Sequence, residues 1–255
     1  MLIAWENLAD DAMVSATSEQ SSAPGANVQN EHASKKWIVV EGVNSASEVF
    51  DMLASVACGI LAVLASNMTA AATLRLRGSD SDATGVTGEK YDSTLINAGA
   101  KAGYGDAYLS FTSATARYWR VDLADASVTT LQAGRVFIGP KWTPTYDQGY
   151  DWSVVSQDAS KVTESYGGQS FVDVRPAPRI IQFTLEFMSE AEMYGNAFAM
   201  ARANGVARDV LAVSDTAAAG YLSEQSVYGL CTASEPLVNY DYGIFRQKFT
   251  IKQRL

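Results

Sequence analysis

His32 is the chain's only histidine, and it stands in the polar stretch QNEHASKKW. A serine or cysteine hydrolase needs a base beside its nucleophile. His32 has no Ser or Cys motif near it, and neither GxSxG nor HExxH occurs, so His32 reads as a surface residue. Glu186, Glu190 and Glu192 are acids of the kind glycoside hydrolysis pairs. Glu190 and Glu192, however, fall in the first turn of an expected helix, where the macrodipole favours negative charge. Asp80 and Asp82, in GSDSDATG, alternate as calcium ligands can. The twelve-residue calcium pattern is missing its Gly at the sixth place and its Glu at the twelfth, which leaves a solvated loop. Residues 99–105, GAKAGYG, resemble a phosphate loop only superficially: the GK[ST] ending is absent and no helix follows. No catalytic, cofactor-binding or metal-ligating set is assigned.

The remaining chemistry is recognition. Trp142, Tyr146, Tyr150 and Trp152 form the richest aromatic cluster. Loop aromatics can anchor a protein partner, pack the seam between two domains, or stack on a sugar. Protein or interdomain contact is the expectation for these four; a glycan site is the alternative.

Composition narrows the classes. The 255 residues are 47% hydrophobic and carry a net charge of −9. Such a chain buries a real core, and length allows two. Its acidity argues against nucleic acid, whose phosphates call for clustered Lys and Arg. Cys58 and Cys231 form neither a CxxC nor a metal spacing. Cys58, in an apolar run, reads as a buried thiol; a Cys58–Cys231 disulfide is the competing reading. Residues 52–64 are the longest apolar run, about 13 residues against the roughly 20 that span a bilayer, so no membrane insertion is expected. The N-terminus has no basic region and does not read as a signal peptide.

Many short strands separated by turn clusters predict an all-β sandwich up to residue 140. Strands are expected near 12–16, over 37–41, 56–65 and 72–77, with a turn at 47–53. In ATLRLR, Leu74 and Leu76 face inward and Arg75 and Arg77 outward. ARYWRVDL and LQAGRVFIG read as two strands of a closing hairpin, with Arg117, Trp119 and Val121 on one face. Gly139-Pro140 and Pro144 mark a boundary, giving domains 1–140 and 141–255. In the second, RIIQFTLEF alternates, with Ile181, Phe183, Leu185 and Phe187 on one face. The S-x-x-E box at Ser189–Glu192 starts a helix that runs to about residue 203 and stops at Asn204-Gly205. Strands at 170–174, 209–213, 227–232 and 244–253 complete an α+β region.

Residues 66–81 (SNMTAAATLRLRGSDS), the ARYWRVDLADA and LQAGRVFIGPKWTP segments, and the terminal YGIFRQKFTIKQRL together resemble tail-tip proteins of long-tailed bacteriophages. The resemblance covers most of residues 30–255. It implies an N-terminal galactose-binding-like jelly-roll sandwich and a C-terminal tail-tube-like domain with one packing helix. No sugar- or calcium-ligand set of that family is matched, so neither is carried over. Fold-level likeness does not fix function.

The resulting expectation is a non-enzymatic structural component of a phage tail tip, located in the virion and made in the host cytoplasm. It would join the tail tube to hub or fibres as a three- or six-fold homo-oligomeric ring, without cofactors. The alternative is a carbohydrate-binding adhesin module contacting host polysaccharide. A hydrolase would need a clefted carboxylate pair.

Overall fold

The computed structural model describes residues 1–101, 105–216 and 221–254. It is mainly β and forms two compact units. One comprises Leu2–Trp142 with Asp215–Glu224; the other comprises Met1, Thr143–Ser214 and Gln225–Leu255.

The first unit is built on β1 (Met13–Ala16), β2 (Ser45–Leu64), β3 (Thr73–Ser79), β4 (Ala107–Ala124) and β5 (Arg135–Gly139). Their order is β5-β2-β4-β3, with β1 also on β2 and short strands Tyr91–Asp92 and Ile96–Asn97 on β3. All these pairings are antiparallel. β2 runs along β4 from Ser45↔Ala124 to Val63↔Ala107, with register breaks after Asp51 and Cys58. At the first break Leu53 takes a positive φ of 64°, and its N–H donates to Asp51 Oδ1 at 2.8 Å. Such irregularities bend a strand and increase its twist, so this sheet curls into the expected sandwich. Trp37, Phe50 and Trp119 are fully buried at its centre, with Leu74, Leu76 and Val121. The rings of Tyr91 and Phe111 stack at 4.4 Å. Cys58 is buried, and neither it nor Cys231 enters a disulfide; burial pushes the Cys58 thiol up to about 12.

Three local expectations change. ARYWRVDL and GRVFIG are not a hairpin: β5 pairs with β2, which lies between β5 and β4. The 20-residue β2 offers its other edge to β1 and β5 in succession, so neighbours in sequence are separated in space. Residues 47–53 are not a turn but the first half of β2, and only the kink at Leu53 marks them. Arg77 does not face solvent; it is 8% exposed because Asp122 and the Val86 carbonyl each accept from its guanidinium at 2.7 Å.

The second unit contains β6 (Ser153–Ser156), β7 (Lys161–Glu164), β8 (Ser170–Asp173), β9 (Arg179–Ser189), β10 (Asp209–Val213), β11 (Ser226–Ser234), β12 (Val238–Asp241) and β13 (Ile244–Gln253). The order is β10-β11-β13-β9-β6, with β12 on β13. β7 and β8 form a separate two-stranded hairpin, so residues 170–173 are a strand but not part of this sheet. Ser189 starts the helix with the expected capping box, its hydroxyl accepting from Glu192 N–H while Glu192 accepts from Ser189 N–H. The helical run comprises Glu190–Glu192, a π segment Met193–Ala197 that contains Gly195, and Phe198–Asn204. Gly205, at φ +53°, ends it with its N–H on the Ala201 carbonyl. Met193, Ala197 and Met200 are the helix's buried face. On β9, Ile181, Phe183 and Leu185 are buried as alternation predicts, but Phe187 is 49% exposed and Met188 is buried. A register shift against β13 between Leu185 and Met188 reverses the alternation there.

Candidate functional site

In the first unit several arginines and carboxylates hold one another. Arg117 grips Asp51 through two bonds of 2.7 and 2.9 Å, which lowers the Asp51 carboxyl. Arg75 holds Asp92 in the same way, and Asp122 accepts from both Arg77 and Arg120. The GSDSDATG loop is equally closed. Asp82 accepts from the Thr84 hydroxyl and from the Thr84 and Thr87 N–H groups, which holds it down to about 2. Glu89 binds the hydroxyls of Thr87, Ser79 and Ser81 and the N–H groups of Asp80 and Ser81, and ionises well below the usual carboxylate range. Asp80 turns to Ser55 and to the Arg117 N–H. These oxygens are spent on the loop's own architecture. No group of three His, Cys, Asp or Glu arranged to hold a metal occurs among the described residues.

The other sequence candidates are dispersed. His32 is exposed. Residues 102–104 of the glycine-rich segment lie outside the described residues. Trp142 is 6% exposed; it exchanges backbone bonds with Ile3 and meets Trp5 edge to face at 6.2 Å, within the first unit. Tyr146, Tyr150 and Trp152 belong to the second unit. Tyr146 packs edge to face on Phe187 at 5.9 Å, Tyr150 is fully exposed and Trp152 is half-buried. Glu192 is spent on the helix cap and on the Thr145 N–H, and Glu186 takes no part in that cap.

Glu186 lines a pocket of about 170 Å³ together with Asp151, Thr184, Glu235, Arg246 and Lys248. Alternation sets its floor: Thr184 and Glu186 share one face of β9, Arg246 and Lys248 share one face of β13, and Thr184 lies opposite Lys248 in the register. The Glu235 N–H donates to the Lys248 carbonyl and fixes that segment beside them. Asp151 arrives from the aromatic connector, where the Gly149 N–H donates to the Thr184 carbonyl at 2.9 Å. Asp151, Glu186, Glu235 and Lys248 enter no side-chain hydrogen bond or ion pair among the described residues. Arg246 has only the Tyr240 ring, 5.5 Å from its guanidinium carbon. Five charges therefore converge on one concavity with their hydrogen-bonding capacity open.

This pocket lay beyond sequence reasoning because its residues come from four separate stretches. The usable signal was the polar face of each strand, Thr184/Glu186 and Arg246/Lys248, in segments read mainly for their apolar faces.

A scan against protein-family models gives no match, and neither does a search of curated proteins. Solved structures do match. Chitosan-binding module 1 of a chitosanase/glucanase from Paenibacillus sp. IK-5 is 14% identical, with a TM-score of 0.41 over 52% of this chain and 98% of that one. A Clostridium perfringens structure in complex with GalNAc-β-1,3-galactose is 14% identical, with a TM-score of 0.43 over 52% and 99%. The lectin domain of Lectinolysin complexed with Lewis B antigen is 14% identical, with a TM-score of 0.40 over 53% and 96%. These neighbours are carbohydrate-binding structures. At TM-scores below 0.5 they assign no ligand to this chain.

Proposed function

We propose that the protein is a non-enzymatic carbohydrate-binding component of a larger particle. One observation carries the carbohydrate reading: the pocket floored by β9 and β13 gathers charged donors and acceptors that enter no hydrogen bond or ion pair among the described residues. A sugar presents hydroxyls on every side and needs a few convergent polar groups in a concave site. Exposed tyrosines adjoin the pocket in sequence and in space: Tyr150 precedes Asp151, and Tyr240 carries Arg246 over its ring. Their faces suit the apolar side of a sugar ring.

The experiment is a glycan panel on the full chain, repeated with Arg246→Ala. Binding that weakens in the variant supports the reading. A chain that binds no glycan overturns it.

A second observation favours docking onto other proteins, the role expected of a phage tail-tip component. Phe187, Tyr194 and Phe198 are each about half exposed; Tyr146 packs on Phe187, and Tyr194 meets both Phe198 and Phe245 at 6.3 Å. Exposed aromatic patches of this kind mark contact surfaces. All eight residues of the β7–β8 hairpin are exposed, including Val162, Phe171 and Val172, and an uncovered two-stranded hairpin is marginal in water. The tail-tip setting rests on the sequence resemblance together with these surfaces. Cryo-EM of phage particles carrying a labelled copy tests it: density at the tail tip is expected, and absence of the label from particles removes the setting.

A further inference from the structure

The charges of the β9/β13 pocket are sorted by position. At its connector side, Asp151 Oδ1 and Glu186 Oε1 lie 3.0 and 3.7 Å from the point where a Cβ on Gly149 would stand. Two carboxylates thus meet over a residue that has no side chain, and no cation of the chain pairs with either among the described residues. Glu235 lines the same pocket. Arg246 and Lys248 stand along β13, so three acids face two bases and the pocket is one negative charge in excess. Thr184 adds an independent observation. It is 8% exposed, it lines the pocket, and its hydroxyl makes no hydrogen bond among the described residues. Its oxygen opens on the pocket rather than being sealed from solvent, so a ligand's polar atom can meet it there.

We infer that the pocket takes a sugar bearing a free amino group. The ammonium sits over Gly149 between Asp151 and Glu186, donating to both and neutralising the excess charge. Hydroxyls of the same ring take the Thr184 hydroxyl, and its oxygens accept from Arg246 and Lys248. Charge-assisted bonds of this kind are roughly twice as strong as neutral ones. A neutral ring would leave the two carboxylates facing each other without a donor between them, and an N-acetyl group would place a bulky, uncharged amide there. This assignment rests on the carbohydrate reading above and specifies its ligand.

Titration calorimetry on the full chain with three probes separates the two claims: methyl β-glucosaminide, its N-acetylated form and methyl β-glucoside, at pH 6, where the amine is charged. The amine should bind about tenfold more tightly than either neutral probe, a difference of about 1.4 kcal/mol. Asp151→Asn with Glu186→Gln should level the three affinities, and far-ultraviolet circular dichroism checks that this double variant folds. Gly149→Ala, whose methyl would stand 3.0 Å from Asp151 Oδ1, should also remove the preference. Equal binding of all three probes, or preference for a neutral one, overturns the amine assignment and leaves the carbohydrate reading intact. No binding of any probe, together with a blank glycan panel, removes both.

Discussion

The two units differ in where they leave charge unpaired. In the sandwich, arginines and aspartates lock into pairs along β3 and β4, and the 79–89 loop folds onto its own carboxylates. In the second unit, five charges border one pocket without pairing among the described residues, and aromatic side chains stand half out of the surface. Paired charges and a buried aromatic centre stabilise a scaffold; unpaired charges and exposed rings contribute nothing to folding that would explain their grouping. The proposed function places structure in the first unit and recognition in the second.

Matched truncations give the largest test of that contrast. Trp119 is fully buried against Phe111, and Trp119→Ala should cost about 3–5 kcal/mol of stability. Phe198 is 50% exposed, and Phe198→Ala should cost less than about 1 kcal/mol. Chemical denaturation measures both. Similar losses at the two sites would show that the half-exposed aromatics are structural.

The charges should separate in the same direction. Arg77→Ala leaves Asp122 with Arg120 alone and orphans the Val86 carbonyl, at a cost of about 1–3 kcal/mol. Lys248→Ala, in the pocket, should stay within about 0.5 kcal/mol while weakening any glycan bound there. An equal loss of stability in the pocket variant would mean that its charges hold the sheet together.

What the sequence disclosed follows the reach of each signal. Local signals held: the S-x-x-E box, the Asn204-Gly205 stop, the inward Leu74 and Leu76, and the alternation of β9 up to Leu185. Signals failed where partners were remote. The ARYWRVDL/GRVFIG pairing was missed because β2, some 50 residues upstream, intervenes between the two strands. Phe187 was misplaced because a register shift in the partner strand cannot be seen in β9's own residues. Arg77 looked like a solvent-facing charge because Asp122, its counter-ion, lies 45 positions away. The pocket failed for the same reason in compounded form: Asp151, Glu186, Glu235 and Lys248 acquire meaning only once β9 and β13 are side by side.

One residue in the sandwich breaks the pairing rule and sharpens it. Glu48 on β2 is 1% exposed, and neither of its carboxylate oxygens has a partner among the described residues. Gly25 and Glu19 face it: the Gly25 N–H is taken by Glu19, and a Cβ at Gly25 would stand 2.7 Å from Glu48 Oε1. Burial, and then the Glu19 charge, push the Glu48 carboxyl well above its ordinary 4.5. The folded chain therefore prefers the protonated acid. Stability contributed by that proton is fully present below pH 4.5. It is lost as pH rises toward the folded-state value, because the unfolded chain ionises first. Glu48→Gln, which does not titrate, should match the wild type near pH 4 and exceed it by about 1 kcal/mol or more at pH 8. Equal pH profiles of the thermal midpoint for the two proteins would show that Glu48 is paired in solution.

The smallest expected effect on folding falls on Tyr150. Its ring is fully exposed at the position before Asp151, so Tyr150→Ala removes no buried area and should change stability by less than about 0.5 kcal/mol. Its face is open to something bound beside it. If that something is a sugar held by the neighbouring pocket, the substitution weakens glycan binding and leaves particle assembly intact. If it is another protein, assembly suffers and glycan binding does not. A variant unchanged in both would take Tyr150 out of the recognition surface and leave the pocket to stand on its charges alone.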